Sequence, residues 1–317
     1  MRELAKAIER GDQRAVAQGI SIVENDMDRA QRLIKELFAN SNEAVVIGVT
    51  GVPGSGKSTL VDQMIDWFRK KNIKLGVVAV DPSSPFTGGA VLGDRLRMMR
   101  HSTDPGVFIR SMATRGYLGG LAKSTGDAVA ILEASGKEII LVETVGVGQD
   151  EVEVVSLADV ILVVLVPEAG DDIQIFKAGL MEIADIFVLN KSDSPDSEKT
   201  EARLKALLEL DPNKRTAPPV FKTIATTGEG IDALMRDLVE HYSAERPDSY
   251  VLRRKRMIAK MLKEIINVKV QKNIFTYLDD SEYNEFVDKV YQKELDPYTA
   301  ADMILKKGME EKDDKGD

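Results

Sequence analysis

The chain opens on helical spacing. After a break at Gly11-Asp12, "RAVAQGISIVEND" repeats apolar residues every three or four positions. "MDRAQRLIKELFAN" then sets Met27, Ala30, Leu33, Ile34 and Leu37 on one stripe. Asn25 or Asp26 is placed to cap that helix. From Ala44 the pattern changes. Seven short runs, "AVVIGVT", "LGVVAV", "GVFIR", "EIILVE", "DVILVVLV", "DIFVLN" and "PVFKTIA", are apolar on successive residues and rich in Val and Ile. A strand covered on both faces needs that composition. Helical segments such as 57–71, 121–135 and 196–210 lie between several of the runs. The alternation predicts an α/β fold, a parallel doubly wound sheet with helices on both faces.

Helical spacing returns from residue 249 to 307. "YVLRRKRMIAKMLKEIINVKVQKN" carries Leu252, Ile258, Met261, Leu262, Ile265 and Ile266 at helical intervals. Its basic run, Arg253-Arg254-Lys255-Arg256, reads as the solvated face of a packed helix. "SEYNEFVDKVYQK" and "DPYTAADMILKK" follow, with Ser281 and Asp296 as N-cap candidates. The charged end, "GMEEKDDKGD", has no large apolar residue beyond Met309, a composition that predicts disorder. The expected organisation is an N-terminal helical extension over 1–43, a catalytic domain over 44–246, a C-terminal helical region over 247–310 and a disordered tail over 311–317.

Composition narrows the chemistry. The 317 residues are 43% hydrophobic and 30% charged, and no apolar run approaches the ~18 residues that span a bilayer. "MRELAKAIERGDQR" lacks the apolar stretch of a secretory signal, so a cytoplasmic setting is expected. There is no cysteine, and His101 and His241 are the two histidines, which leaves no material for a thiolate or histidine-rich metal site. A net charge of −9 argues against broad nucleic-acid or anionic-membrane binding. Any phosphate binding must therefore be local.

One stretch supplies it. Gly51-Val52-Pro53-Gly54-Ser55-Gly56-Lys57-Ser58 fits G-x-x-x-x-G-K-[ST] at every fixed position, between a credible strand and a credible helix. The glycines let backbone N–H groups, including that of Thr59, turn toward phosphate oxygens at a helix N-terminus. Lys57 is expected on the β- and γ-phosphates and the Ser58 hydroxyl on Mg²⁺. MinD-like ATPases carry an extra lysine early in this turn, whereas here Val52 follows Gly51.

A second motif names the base. Asn190-Lys191-Ser192-Asp193 follows a buried run, and an aspartate there can accept from guanine N1–H and the 2-amino group. Adenine offers neither donor, so such a site discriminates strongly. Mg²⁺ needs further oxygen ligands, and Asp81, Asp94 and Glu143 lie at or beyond strand ends where doubly wound folds place their ligands. Glu143-Thr144-Val145-Gly146 resembles the D-x-x-G turn that senses a γ-phosphate through the Gly146 N–H. Val147 cannot orient water, and Gln149 is the nearest candidate, so slow intrinsic hydrolysis is expected. Catalytic candidates are thus Lys57, Asp94, Glu143 and Gln149. Arg95, Arg97, Arg100, Arg110 and Arg115 lie near the proposed switches and are candidates to stabilise charge in the transition state, although surface carboxylates are the commoner partners of such arginines. His101 has no partner in sequence and is expected at a helix end.

Together "GVPGSGKST", "VDPSSPFTGGAVLGDRLRM", "ETVGVGQDE", "EAGDDIQIFKAGLMEIAD" and "LNKSD" resemble the methylmalonyl-CoA mutase-associated GTPases. Members guard adenosylcobalamin-dependent acyl-CoA mutases, and older labels call some of them arginine/ornithine transport kinases. The resemblance implies a P-loop NTPase of the signal-recognition/MinD/BioD class with helical extensions, the C-terminal one serving homodimerisation. It implies GTP hydrolysis coupled to cofactor loading and to protection or reactivation of the mutase, with the cobalamin adenosyltransferase as a further partner. It carries phosphate and Mg²⁺ roles onto Lys57, Ser58, Asp81, Asp94 and Glu143. It also marks Gly170-Asp171-Asp172 through Lys177 and Glu182 as an added switch. The chain departs from the pattern at the guanine loop. Ile224 stands where a serine is usual, so the backbone N–H of Ala225 is the expected contact. Competing readings are a nickel-type metallochaperone, a small-molecule kinase and a nucleotide-gated scaffold. The first lacks Cys and His ligands, and the second sits poorly with Asn190-Lys191-Ser192-Asp193.

Overall fold

The computed structural model describes residues 1–38, 43–81, 99–113, 120–144, 157–167, 180–209, 217–243, 248–278 and 280–314. The chain divides into two compact units, residues 1–257 and 258–317.

Each of the seven apolar runs becomes a strand of one sheet: β1 (Val45–Gly51), β2 (Leu75–Asp81), β3 (Val107–Ala113), β4 (Ile139–Thr144), β5 (Val160–Leu165), β6 (Ile186–Asn190) and β7 (Val220–Thr223). Their order is β3-β2-β4-β1-β5-β6-β7, with parallel pairing throughout. Every residue of β1, β4, β5 and β6 is buried, which is why those runs show no polar alternation. Successive side chains still point to opposite faces. Val46, Val78, Ile140 and Ile161 face one apolar layer, and Ile47, Val77, Leu141 and Leu162 the other.

On the first face lie α1 (Arg2–Glu9), α2 (Gln13–Asn25), α3 (Met27–Leu37) and α5 (Gly120–Ala134). Ile8, Ile20, Leu33 and Leu37 are fully buried there, so the N-terminal helices share the sheet's core. Asp12 caps α2 by accepting from Ala15 N–H, and Asp26 caps α3 by accepting from Arg29 N–H, each at 2.9 Å. Asp26 is thus the cap, while Asn25 donates back to the Ser21 carbonyl at 2.7 Å. The second face is covered by α4 (Lys57–Arg69) and α8 (Ile231–Ser243), through Leu60, Val61, Met64, Ile65, Leu234 and Met235. Between β5 and β6 lies the short α6 (Leu180–Ile183), and between β6 and β7 lies α7 (Ser197–Glu209), whose Leu204 and Leu208 join the first face's core.

The unit boundary falls inside the long α9 (Asp248–Tyr277), later than the expected start of the C-terminal region. Its early turns correct the reading of the basic run. Arg253 grips Asp185 with both terminal nitrogens, at 2.5 and 2.7 Å, and donates to the Asp159 carbonyl at 2.9 Å. Arg254 donates to Asp159 at 3.1 Å, the Ala44 carbonyl at 2.9 Å and Glu133 at 3.3 Å. Asp159 and Asp185 accept in turn from Val46 N–H and Ile161 N–H at the amino ends of β1 and β5. Lys255 and Arg256 alone form the expected exposed face.

The second unit holds the rest of α9, α10 (Asp280–Tyr291) and α11 (Pro297–Asp314). Ile274, Leu278 and Ala300 are buried, and Phe275 meets Tyr283 edge to face at 5.6 Å. Asp296 caps α11, accepting from Tyr298 and Thr299 N–H at 3.0 Å. Ser281 does not cap α10, because the helix already begins at Asp280. α11 continues to Asp314, past residue 311 where helical order was expected to end. Ile258, Leu262 and Ile266 form an exposed apolar stripe on α9.

Candidate nucleotide site

The central strand β1 ends where the phosphate turn begins. Gly51 has no room for a side chain, since a Cβ there would lie 2.1 Å from the Val164 carbonyl oxygen. Gly56 precedes α4 with φ at 89°, a left-handed conformation that favours glycine. A Cβ at Gly56 would also fall 2.4 Å from Asn190 Nδ2. Between them Pro53 and Gly54 are exposed, Ser55 is buried and Thr59, in the first turn of α4, is half-buried. Lys57 is buried, and its Nζ donates to the carbonyls of Gly51 at 2.8 Å and Val52 at 3.0 Å. The amine thus folds back over the head of its own turn.

The parallel register brings the next groups to the same edge. Glu143 of β4 stands opposite Val49 of β1. Ser58 Oγ donates to Glu143 Oε1 at 2.6 Å, both residues buried. One residue further, Thr144 Oγ1 donates to Thr50 Oγ1 at 2.9 Å and ties β4 to β1 beneath the turn. Asp81 ends β2 at this carboxyl edge, paired in register with Ala113. Asp94, Gly146 and Gln149 lie outside the described residues, as do Arg95, Arg97 and Arg115 and positions 170–177 of the added switch. Glu182, that switch's last marked residue, lies in α6 and is exposed.

Asn190 joins this edge to the base loop. It is 3% exposed. Its Nδ2 donates to the Ser55 carbonyl at 2.8 Å, and its Oδ1 accepts from Ala225 N–H at 3.0 Å and Thr223 Oγ1 at 3.2 Å. Lys191 takes a left-handed φ of 57°, and Ser192 N–H donates to the Thr223 carbonyl at 3.1 Å. The chain thereby turns out of β6 and leaves Asp193 exposed. The Ala225 N–H expected on guanine is here donated to Asn190. Ile224 closes the loop through its own backbone, pairing with Glu229 and accepting from Thr227 and Gly228 N–H and from Thr227 Oγ1 at 3.2 Å. A serine hydroxyl at 224 is therefore not needed to hold the loop.

Two of the candidate arginines are engaged away from the turn. Arg100 pairs with Asp62 and Asp66, and Arg110 with Glu24 and Ser21. His101 ends a short 3-10 turn (Met99–His101), as expected, but it is buried and has a partner, Asp62. Thr50, Thr144 and Thr223 escaped the sequence reading. Nothing local marks them, since each acts through a partner brought close by sheet pairing.

A family model described as methylmalonyl Co-A mutase-associated GTPase MeaB matches residues 16–278, which contain the whole site. The chain belongs to that family. Among its relatives, a putative GTPase of Pyrococcus abyssi is 48% identical over 96% of this chain and 95% of its own. The mouse protein named methylmalonic aciduria type A homolog, mitochondrial, is 32% identical over 94% of this chain and 77% of its own. GTPase ArgK of Escherichia coli is 37% identical over 60% of this chain and 59% of its own. The crystal structure of LAO/AO transport system kinase shares the fold, with a TM-score of 0.69 at 24% identity over 96% of each chain. This family member is a nucleotide-binding P-loop GTPase. Among the described residues no helix is long and apolar enough to cross a membrane.

Proposed function

We propose that this GTPase is a cytoplasmic nucleotide switch that guards an adenosylcobalamin-dependent acyl-CoA mutase, methylmalonyl-CoA mutase foremost. It gates cofactor loading and protects or reactivates the enzyme. The observation that carries the reading is the Asn190 bridge between phosphate turn and base loop, in a chain of the mutase-associated family. A contact of that kind lets the occupant of one end be felt at the other.

Asp193 reads the guanine edge. Lys57 leaves the Gly51 and Val52 carbonyls for the β- and γ-phosphates. The buried Ser58 hydroxyl and Glu143 carboxylate are hard oxygen donors already in contact, a set that suits Mg²⁺ beside phosphate. Asp81 and Asp94 are its further candidate ligands, and the cation when bound neutralises charge on the transferred phosphoryl group. Gly146 and Gln149 serve γ-phosphate sensing and water placement, and residues 170–182 meet the mutase. The exposed stripe Ile258, Leu262 and Ile266 supports a homodimer through the C-terminal helices. The cobalamin adenosyltransferase is a further partner.

The test is a pull-down from cell extract with the tagged protein and a non-hydrolysable GTP analogue. Co-purification of a cobalamin-dependent acyl-CoA mutase supports the reading. Its absence, from an extract shown to contain the enzyme, contradicts it.

A further inference from the structure

Two hydroxyls sit where the central strands part. The register of β1 on β4 runs from Val45 and Ile139 to Val49 and Glu143. One residue further, Thr144 Oγ1 donates to Thr50 Oγ1 at 2.9 Å. Thr50 is 0% exposed and Thr144 3%. From that point β1 runs into the phosphate turn at Gly51, whose carbonyl accepts from Lys57. The residue before Thr144 is Glu143, which accepts from Ser58 Oγ at 2.6 Å. The pair therefore joins the backbone under the lysine's acceptor to the backbone under the carboxylate.

The surroundings do not ask for hydroxyls. Side chains alternate along a strand, so Thr50 follows Val46, and Thr144 follows Ile140 and Val142, onto the first face. That layer is apolar. Valine has nearly the same shape and no polar atom, whereas a buried hydroxyl is costly unless it is paired. Two threonines thus fill the layer no better than two valines, and what they add is a directional link. Glu143 points to the opposite face, the side of Val49, Leu141 and α4. The other edge of β4 is held by β2, with Val80 opposite Thr144. A strand end pinned on both edges cannot roll about its axis, so the carboxylate stays aimed at Ser58.

We infer that Thr50 and Thr144 are positioning residues that keep Glu143 on Ser58 and so set how firmly the nucleotide site takes Mg²⁺. The inference rests on the reading of Ser58 and Glu143 as oxygen donors to that cation. Both threonines act through Glu143, as the outer groups of metal sites act through the ligands they orient.

The test is calorimetric titration of GDP into the protein, in Mg²⁺ buffer and in EDTA. The ratio of the two affinities measures the metal's share. Thr144→Val is expected to lower that ratio about tenfold and to leave the EDTA affinity within about twofold. Thr144→Ser, which keeps the hydroxyl, restores most of the ratio. Thr50→Val lowers it as Thr144→Val does, and the double valine variant loses no more than either alone, because one contact is shared. A folded Thr144→Val protein whose ratio stays within about twofold of the parent's overturns the inference. So does a loss that is equal in Mg²⁺ and in EDTA, which assigns the pair to the turn and not to the metal side. Glu143→Gln tests the underlying reading separately. If it leaves the ratio unchanged, or if Mg²⁺ adds nothing to the parent's affinity, the metal reading of Glu143 fails and takes this inference with it. Should Thr144→Val not fold, the double valine variant, which leaves neither hydroxyl of the pair behind, is read the same way.

Discussion

Asn190 donates to the carbonyl of Ser55 across 2.8 Å, although 135 residues separate the two in sequence. The same side chain accepts from the Ala225 N–H at 3.0 Å. One buried amide thus fastens the phosphate turn after β1 to the loop after β7.

Asn190→Ala should leave the Ser55 carbonyl and the Ala225 N–H buried without their partner. Orphaned buried groups cost about 1–3 kcal/mol each, so both stability and GDP affinity should fall. Asn190→Asp keeps the acceptor for Ala225 but sets a buried carboxylate oxygen against the Ser55 carbonyl, and should cost at least as much as alanine. Urea unfolding and calorimetric GDP titration measure the two effects. A variant that loses stability while keeping full GDP affinity would show that the bridge serves only the fold.

Asp193 is exposed at the turn out of β6, and the proposed function gives it the guanine edge. Asp193→Asn should cost roughly 2–4 kcal/mol of GTP affinity, the scale of hydrogen bonds to a charged group, and should admit xanthine nucleotides. Unchanged GTP binding would remove the base assignment.

Glu133 responds to pH. Burial pushes its carboxyl up to about 7, and the nearby Asp159 adds to the rise, while Arg254 opposes it. A carboxyl with a raised folded pKa binds its proton more tightly in the folded state. Its contribution to stability is therefore full below the ordinary glutamate range near 4.5 and is lost as pH rises through about 7. Glu133→Gln should gain on the parent across that window, by on the order of 2–3 kcal/mol at pH 8. Urea unfolding at stepped pH checks this. A difference that does not change with pH would contradict it.

The sheet and the phosphate turn were legible in sequence for one physical reason. Strands buried on both faces write themselves as continuous apolar runs, and a phosphate-binding turn demands residue types at fixed spacing. The anchor made by Arg253 and Arg254 was not legible. Its carboxylates, Asp159, Asp185 and Glu133, lie 68 to 121 residues away, so the run looked like any basic helix face. The grip of Arg100 on Asp62 and Asp66 of α4 hid for a related reason, because both carboxylates look like ordinary solvated positions until Arg100 is seen beside them. Asn190 was legible as part of a base-binding motif, but its grip on Ser55 exists only once β6 lies two strands from β1. Ser281 misled because a serine before an apolar run suits an N-cap wherever the helix in fact begins.

The central claim is that a mutase partner is felt at this nucleotide site. The direct measurement is GTP turnover by the purified protein, alone and with a cognate adenosylcobalamin-dependent acyl-CoA mutase. A slow basal rate that rises roughly tenfold or more with the partner is the predicted result, on the scale at which partners complete GTPase sites. A rate that is already tens per second alone, or that no cognate mutase changes, would contradict the account.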